Sequence, residues 1–367
     1  MRATVCVIVA AIGLAAHPAL AQADRTAAAF WTSVQANCDA TAAKPASALG
    51  RRIAQSAIEE FDSFGGHRID ANGRLFHFGL TEAENEPEAA HRGTQASLGR
   101  LGWWRVMKYW RALYGDDLGA LDDELVVRGY RGASTSNDAA QTAARLPIDF
   151  GPLLRATDGV SGPDLREALR EAVIRSALID TSWSAAFISY VTKQAGAPES
   201  GFQFANAHRV YIYDAVATSA AELAHEPDAR IYRACPLGTT KPRVGDLICD
   251  QREPALADTS DAAVRERIRA ELAGSASART VRHTHCEVVA HVDTPARKMY
   301  TIGGNVLNAV TARKHNLRRG LTVSPVQKGR CGGAGDWTLP EFAADMPQMR
   351  GKCSLNDQKW FVLLQLR

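Results

Sequence analysis

The chain has 367 residues, 46% of them hydrophobic and 23% charged. That is enough to bury a sizeable core, and too ordinary a mixture for long disorder, a collagen-like repeat or a multi-span membrane protein. Lysine and arginine number 43 against 40 aspartates and glutamates, a net charge of +3, so the balance calls for neither nucleic acid nor an anionic membrane as partner.

Met1-Arg2 precedes an apolar stretch over 3–16, and Ala19-Leu20-Ala21 supplies the small-x-small pattern read by signal peptidase. This predicts a signal peptide over 1–21, a mature chain starting at Gln22, a periplasmic or secreted location, and no integral membrane segment after cleavage. A retained anchor would need an apolar run nearer ~20 residues. Beyond the leader stand Cys38, Cys235, Cys249, Cys286, Cys331 and Cys353, an even set for which disulfides are the default in an oxidising compartment. Cys249 and Cys286 lie in two strand-like runs and suit a bridge between neighbouring strands. Cys331 and Cys353 bracket a Gly-rich loop that they could staple.

Residues 26–62 read as helical, with Ser47 as an N-cap and Leu49, Ile53, Ile58 and Phe61 as an apolar stripe ended by Gly65-Gly66. A strand-like run follows at 74–78. Over 101–114, Trp103, Val106, Met107, Trp110, Leu113 and Tyr114 recur at helical spacing, which suits a buried helix face or a ligand platform. Residues 162–178 predict an amphipathic helix opened by Pro163-Asp164, with Leu165, Leu169 and Val173 facing inward. One more helix at 184–196 gives way to β-like runs at 244–249, 284–292, 298–302 and 306–312, with 254–280 as a surface helical insertion and 360–366 as a closing strand. Helices first and strands later predict an α+β fold rather than alternating βαβ units.

Four segments are able to carry chemistry. Ser184 opens the helix whose inner face is Ile188, Val191 and Ala195. Its hydroxyl stands among unpaired N–H groups, which suits a nucleophile beside an oxyanion site or a plain helix cap. The second segment is Pro242-Arg-Val-Gly-Asp-Leu-Ile-Cys249. In the third, His283, His285, Glu287 and Val289 share a strand face, so His285 suits a general base or a solvent-facing edge histidine. His283-Thr-His285-Cys286 also invites zinc, but no second ligand cluster has matching spacing; the reading carries no metal and no cofactor. In the fourth, Gly303-Gly304 suit a sharp turn before Asn305, which is able to orient an imidazole or to serve the turn itself. His208 follows the Ser184 helix closely and suits either the same cleft or the core.

Trp183-Ser-Ala-Ala-Phe-Ile-Ser-Tyr-Val-x-Lys-Gln-Ala-Gly196, then Gly245-Asp-Leu247, then a His opening a Val-rich strand, then Ile302-Gly-Gly-Asn305, resemble the papain-like CHAP and NlpC-type amidases and endopeptidases of bacterial cell walls. Over residues 50–312 the chain is similar to a bacterial secreted family, domain of unknown function 2272. The resemblance implies a papain-like helix-plus-antiparallel-sheet core over 151–313; the helical region over 22–150, expected to pack on that core, lies outside the peptidase resemblance, and 314–367 is expected to form a C-terminal extension with the closing strand. The resemblance also implies Ser184 as nucleophile, His285 as base and Asn305 as orienter, with Trp183, His208, Asp246, Gly303 and Gly304 lining the cleft. The expected function is a secreted hydrolase of an amide or ester bond, in peptidoglycan or another envelope substrate. The alternatives are an inactive wall-binding or regulatory module of the same fold, and a scaffold working through its Trp-rich helical half. Ser184 stands where the peptidases carry Cys, and serine needs its proton removed during attack, whereas a thiol is held as thiolate. Asn lacks the charge with which Asp stabilises an imidazolium, a change that costs a serine protease about 10⁴ in turnover.

Overall fold

The computed structural model describes residues 27–83, 102–127, 148–274, 279–324 and 354–367. The leader, Cys331, Cys353 and the Gly-rich loop between them lie outside those residues.

The helical reading over 26–62 resolves into two helices, α1 (Ala27–Ala42) and α2 (Ala48–Ser63), because Pro45 cannot continue a helix. Ser47 restarts it, its hydroxyl accepting the Gly50 N–H at 3.0 Å. After α2, Gly65 and Gly66 turn the chain at φ 71° and 77° into a small hairpin, β1 (His67–Ile69) and β2 (Leu75–His77). Helix α3 (Gly102–Tyr114) buries Trp103, Val106, Met107, Tyr109 and Trp110, so its aromatic stripe is packing. The two-residue strands β3 (Val126–Val127) and β4 (Ile148–Asp149) pair with each other and lead into α4 (Phe150–Ala156).

Helix α5 (Pro163–Asp180) departs from the expected inner face: Leu165 and Leu169 are 56% and 39% exposed, and burial falls on Ala177 and Leu178 near its C-terminus. The helix docks by its end rather than along its length. Helix α6 (Ser184–Gln194) is buried over most of its circumference. The sequence reading leaves unmarked α7 (His208–Leu223) and β5 (Tyr232–Pro236). Buried His208, Tyr211, Thr218 and Ser219 are interleaved with the apolar residues of α7, which hides its helical period.

The remaining strands are β6 (Leu247–Gln251), β7 (Thr284–Asp293), β8 (Lys298–Val306), β9 (Ala309–Asn316) and β10 (Trp360–Leu366), and α8 (Asp261–Ala273) is the insertion between β6 and β7. One mixed eight-stranded sheet runs β2-β1-β9-β8-β7-β6-β10-β5, antiparallel except where β1 lies parallel to β9. Strand β10 is therefore interior, between β6 and β5. The fold is mixed α plus β, with eight α-helices among the described residues.

Strand alternation buries both faces of the sheet. Leu247, Cys249, Cys286, Val288, Val362 and Leu364 join the helices in the larger core. Ile248, Val289, Met299 and Leu363 join Phe30 and Val34 of α1 in a smaller one. Cys249 faces Cys286 directly across β6 and β7, and the two form the cross-strand disulfide that their placement suggested. A second bridge, Cys38–Cys235, ties α1 to the edge strand β5. No helix among the described residues is long and apolar enough to cross a membrane; two disulfides and the absence of such a helix are compatible with secretion.

Candidate active site

The site begins where α6 begins. Trp183, fully buried at the cap position, anchors that end. Its indole N–H donates to Glu82 at 2.9 Å, and its ring packs on Phe64 and Tyr109 with centroids 5.9 and 5.6 Å away. Burial raises Glu82 to about 7, against the lowering effect of the indole hydrogen bond. Thus fixed, the helix presents half-buried Ser184 in its first turn, where backbone N–H groups have no helical acceptor.

The Ser184 hydroxyl lies 2.7 Å from Nε2 of His208. His208 opens α7 and is buried, and Nδ1 of its ring meets the hydroxyl of Tyr211 one turn further along. Burial, then the neighbouring His285 and Arg252, hold His208 well below the usual imidazole range, so it is neutral at pH 7. With its proton on Nδ1, donated to the Tyr211 oxygen, Nε2 is left to accept the serine proton. Tyr211 stays a phenol, since burial pushes it up.

His285 stands behind this pair. Its ring is 5.0 Å from that of His208 at 69°, and it too is lowered by burial and Arg252. It sits opposite Asp250 in the β6–β7 register, and its Nε2 is 3.5 Å from Oε1 of Glu287, at the limit of a hydrogen bond. Glu287 is the charged centre of the layer. It accepts Nε–H of Arg313 at 2.7 Å and the Thr301 hydroxyl, which in turn accepts Nε2–H of His315 at 2.8 Å. Burial alone would raise Glu287, but Arg313, His285 and His315 outweigh it and hold it well below the usual carboxylate range. Asp250, also buried, is raised by burial against the pull of Arg252 and His285.

The structure thus joins Ser184 to His208 directly and sets His285 against His208. Asn305 sits in a β8 bulge between Gly303 and Val306 with φ 53°, a left-handed conformation that asparagine tolerates. Its side chain makes no hydrogen bond among the described residues. Leu307 and Asn308, with φ 55° and 60°, form the two-residue turn into β9. Gly303 and Gly304 serve close approach: a Cβ on Gly303 would stand 3.1 Å from Nε2 of His285, and one on Gly304 2.5 Å from Cβ of Phe187 and 2.9 Å from the Trp183 ring. Gly304 lets β8 lie against the start of α6, and Gly303 leaves room for His285 and Glu287 of β7. Asp246 is fully buried and accepts N–H bonds from Leu366 at 2.9 Å and Arg243 at 2.8 Å, so it pins β10 to the 243–246 turn. His283 is exposed and pairs with Glu253 at 2.9 Å, while Cys286 is in a disulfide, so the zinc reading of that segment finds no ligand set. Among the described residues no group of three or more His, Cys, Asp or Glu side chains converges as metal ligands.

The sequence reading names Ser184 and His208, which the structure brings within 2.7 Å of each other, and does not single out Tyr211, Asp250 or Glu82, which stand around them and around His285 and Trp183. The His208-x-x-Tyr211 spacing was the available signal, hidden because α7 itself was unmarked. Chemically, the arrangement is a hydroxyl at a helix N-terminus, hydrogen-bonded to a neutral imidazole whose far nitrogen is held by a phenol. No curated protein and no solved structure matches the chain significantly. Residues 99–366 match the model of a family described as an uncharacterized protein conserved in bacteria, DUF2272, and the chain belongs to that family.

Proposed function

We propose that the protein is a secreted hydrolase of an amide or ester bond in peptidoglycan, built on a papain-like core, with Ser184 as nucleophile and His208 as its base. The observation that carries this is the 2.7 Å contact between Ser184 Oγ and His208 Nε2, made by an imidazole that burial keeps neutral. In attack, Oγ forms a bond to the carbonyl carbon while its proton passes to Nε2. The oxyanion is met by the free N–H groups of the first turn of α6. The imidazolium then protonates the leaving amine or alcohol, and water releases the acyl group by the same steps in reverse. His285 and Glu287 place an imidazole and a negative charge behind His208.

The test is incubation of the mature chain with isolated peptidoglycan, beside Ser184→Ala, His208→Ala and His285→Ala, with mass spectrometry of released fragments and pelleting of bound protein. Ser184→Ala and His208→Ala should each lower turnover by about 10³-fold or more, and Ser184→Cys should keep or raise it. Unchanged turnover in Ser184→Ala would overturn the proposal. One observation favours the second reading, a wall-binding module without chemistry: His208 is held by the Tyr211 hydroxyl rather than by a carboxylate. That reading predicts pelleting without fragments, unaltered in Ser184→Ala.

A further inference from the structure

A cavity of about 410 Å³ lies between the C-terminal half of α2 and the sheet, and Ser184, His208 and His285 do not line it. Its volume falls in the range of small-molecule sites, typically ~300–1,000 Å³. Ile58, Ile69 and Ile302 give it an apolar floor.

Its rim is built by strand register. His291 of β7 pairs with Tyr300 of β8, and Tyr300 pairs with Lys314 of β9. This forms one transverse row of imidazole, phenol and ammonium, with the Lys314 Nζ 5.4 Å from the Tyr300 ring centroid. On the next strand, Arg68 of β1 pairs with Ala312, two residues before Lys314 and so on the same face. Its guanidinium lies 5.7 Å from the Phe61 ring centroid. Phe76, on the β1–β2 hairpin, closes the rim and is 62% exposed, a large apolar surface left to water. Arg313 is committed elsewhere, to Glu287 and the Leu355 carbonyl.

Among the described residues no carboxylate lines the cavity, and neither Arg68 nor Lys314 has an acidic partner. Two cations on adjacent strands therefore face an aromatic-walled hollow without a counter-charge. Such a site is complementary to an anion borne on a flat or ring-shaped apolar body: the body displaces water from Phe61, Phe76 and Tyr300, and the anion meets Arg68 and Lys314. We infer that this cavity is a ligand site for a small anionic ring compound, separate from the Ser184 site and independent of what Ser184 does.

The test uses 2-naphthoate, 2-naphthyl phosphate and the uncharged 2-naphthamide, titrated by calorimetry into the full mature chain and into Arg68→Gln/Lys314→Gln and Phe76→Ala variants. Both double-variant positions are on the surface rim, and a thermal melt confirms that each variant is folded. At least one anion should bind saturably and about tenfold more tightly than the amide, the preference of carboxylate over phosphate or the reverse identifying the anion. The double variant should abolish that preference, and Phe76→Ala should weaken all three ligands alike. Equal binding of amide and anions, an unchanged preference in the double variant, or no saturable binding of any probe would each overturn the inference.

Discussion

Replacing Glu287 by Gln should destabilise the protein by about 3–5 kcal/mol, the usual cost of stranding one member of a buried ion pair. Arg313 is buried and its Nε–H is donated to Glu287 at 2.7 Å; the amide keeps an acceptor in place but removes the charge that offsets a buried guanidinium. A loss of that size is a large share of the ~5–15 kcal/mol that a folded domain commands. Guanidinium unfolding of the oxidised protein, followed by fluorescence and circular dichroism, gives the midpoint and slope. The control is Glu287→Gln with Arg313→Met: because the stranded charge is what costs, the double variant should recover part of the loss. The same reasoning fixes a pH dependence. The folded-state pKa of Glu287 lies below its unfolded value of about 4.5, so its contribution is complete above that value and is lost as the pH falls through the folded pKa. A Glu287→Gln loss under 1 kcal/mol, or a double variant less stable than the single, would refute the account.

Glu82 gives the opposite slope. Its folded pKa of about 7 exceeds the 4.5 of an ordinary glutamate, so its contribution is complete below 4.5 and is lost as the pH rises through 7. Glu82→Gln keeps an acceptor for Trp183 and should flatten the decline in Tm between pH 4.5 and 8; parallel curves for the two proteins would count against it. The disulfides should also separate in magnitude. Cys249 and Cys286 are 37 residues apart, and Cys38 and Cys235 are 197 apart, so in the chain-entropy account Cys→Ser pairs lose about 4 and about 5 kcal/mol respectively. Non-reduced peptide mapping checks the pairing, and denaturant titration checks the order.

What could be read from the sequence was what lies close along it. Ser47 as a cap, the start of α6 at Ser184 and the alternation through β7 are set within a few residues, and the Cys249–Cys286 bridge needed only two adjacent strands. The partner of Ser184 was harder, because His208 stands 24 residues away at the head of a helix with no clean apolar stripe. The Glu287–Arg313–Thr301 cluster joins three strands through their register, which a single strand's pattern does not contain. Leu165 and Leu169 misled for a physical reason: an apolar stripe marks a face able to be buried, while the docking of α5 by its end decides that it is not. Gly303-Gly304 signalled a bend, and β8 does bulge between Gly303 and Val306; the close packing of Gly304 on Phe187 and Trp183 is a long-range contact that the local pattern does not contain.

The interior position of β10 also bears on when the fold can form. Among the described residues strand β5 pairs with β10 alone, so residues 232–236 gain this partner when residues 360–366 are in place. A chain emerging from the ribosome therefore cannot complete this sheet early; its edge waits on long-range pairing, which is slow. The Cys38–Cys235 bridge therefore ties α1 to a strand whose own place in the sheet waits on residues 360–366, so the two ends of the described chain are secured together, late, by one strand and one covalent link.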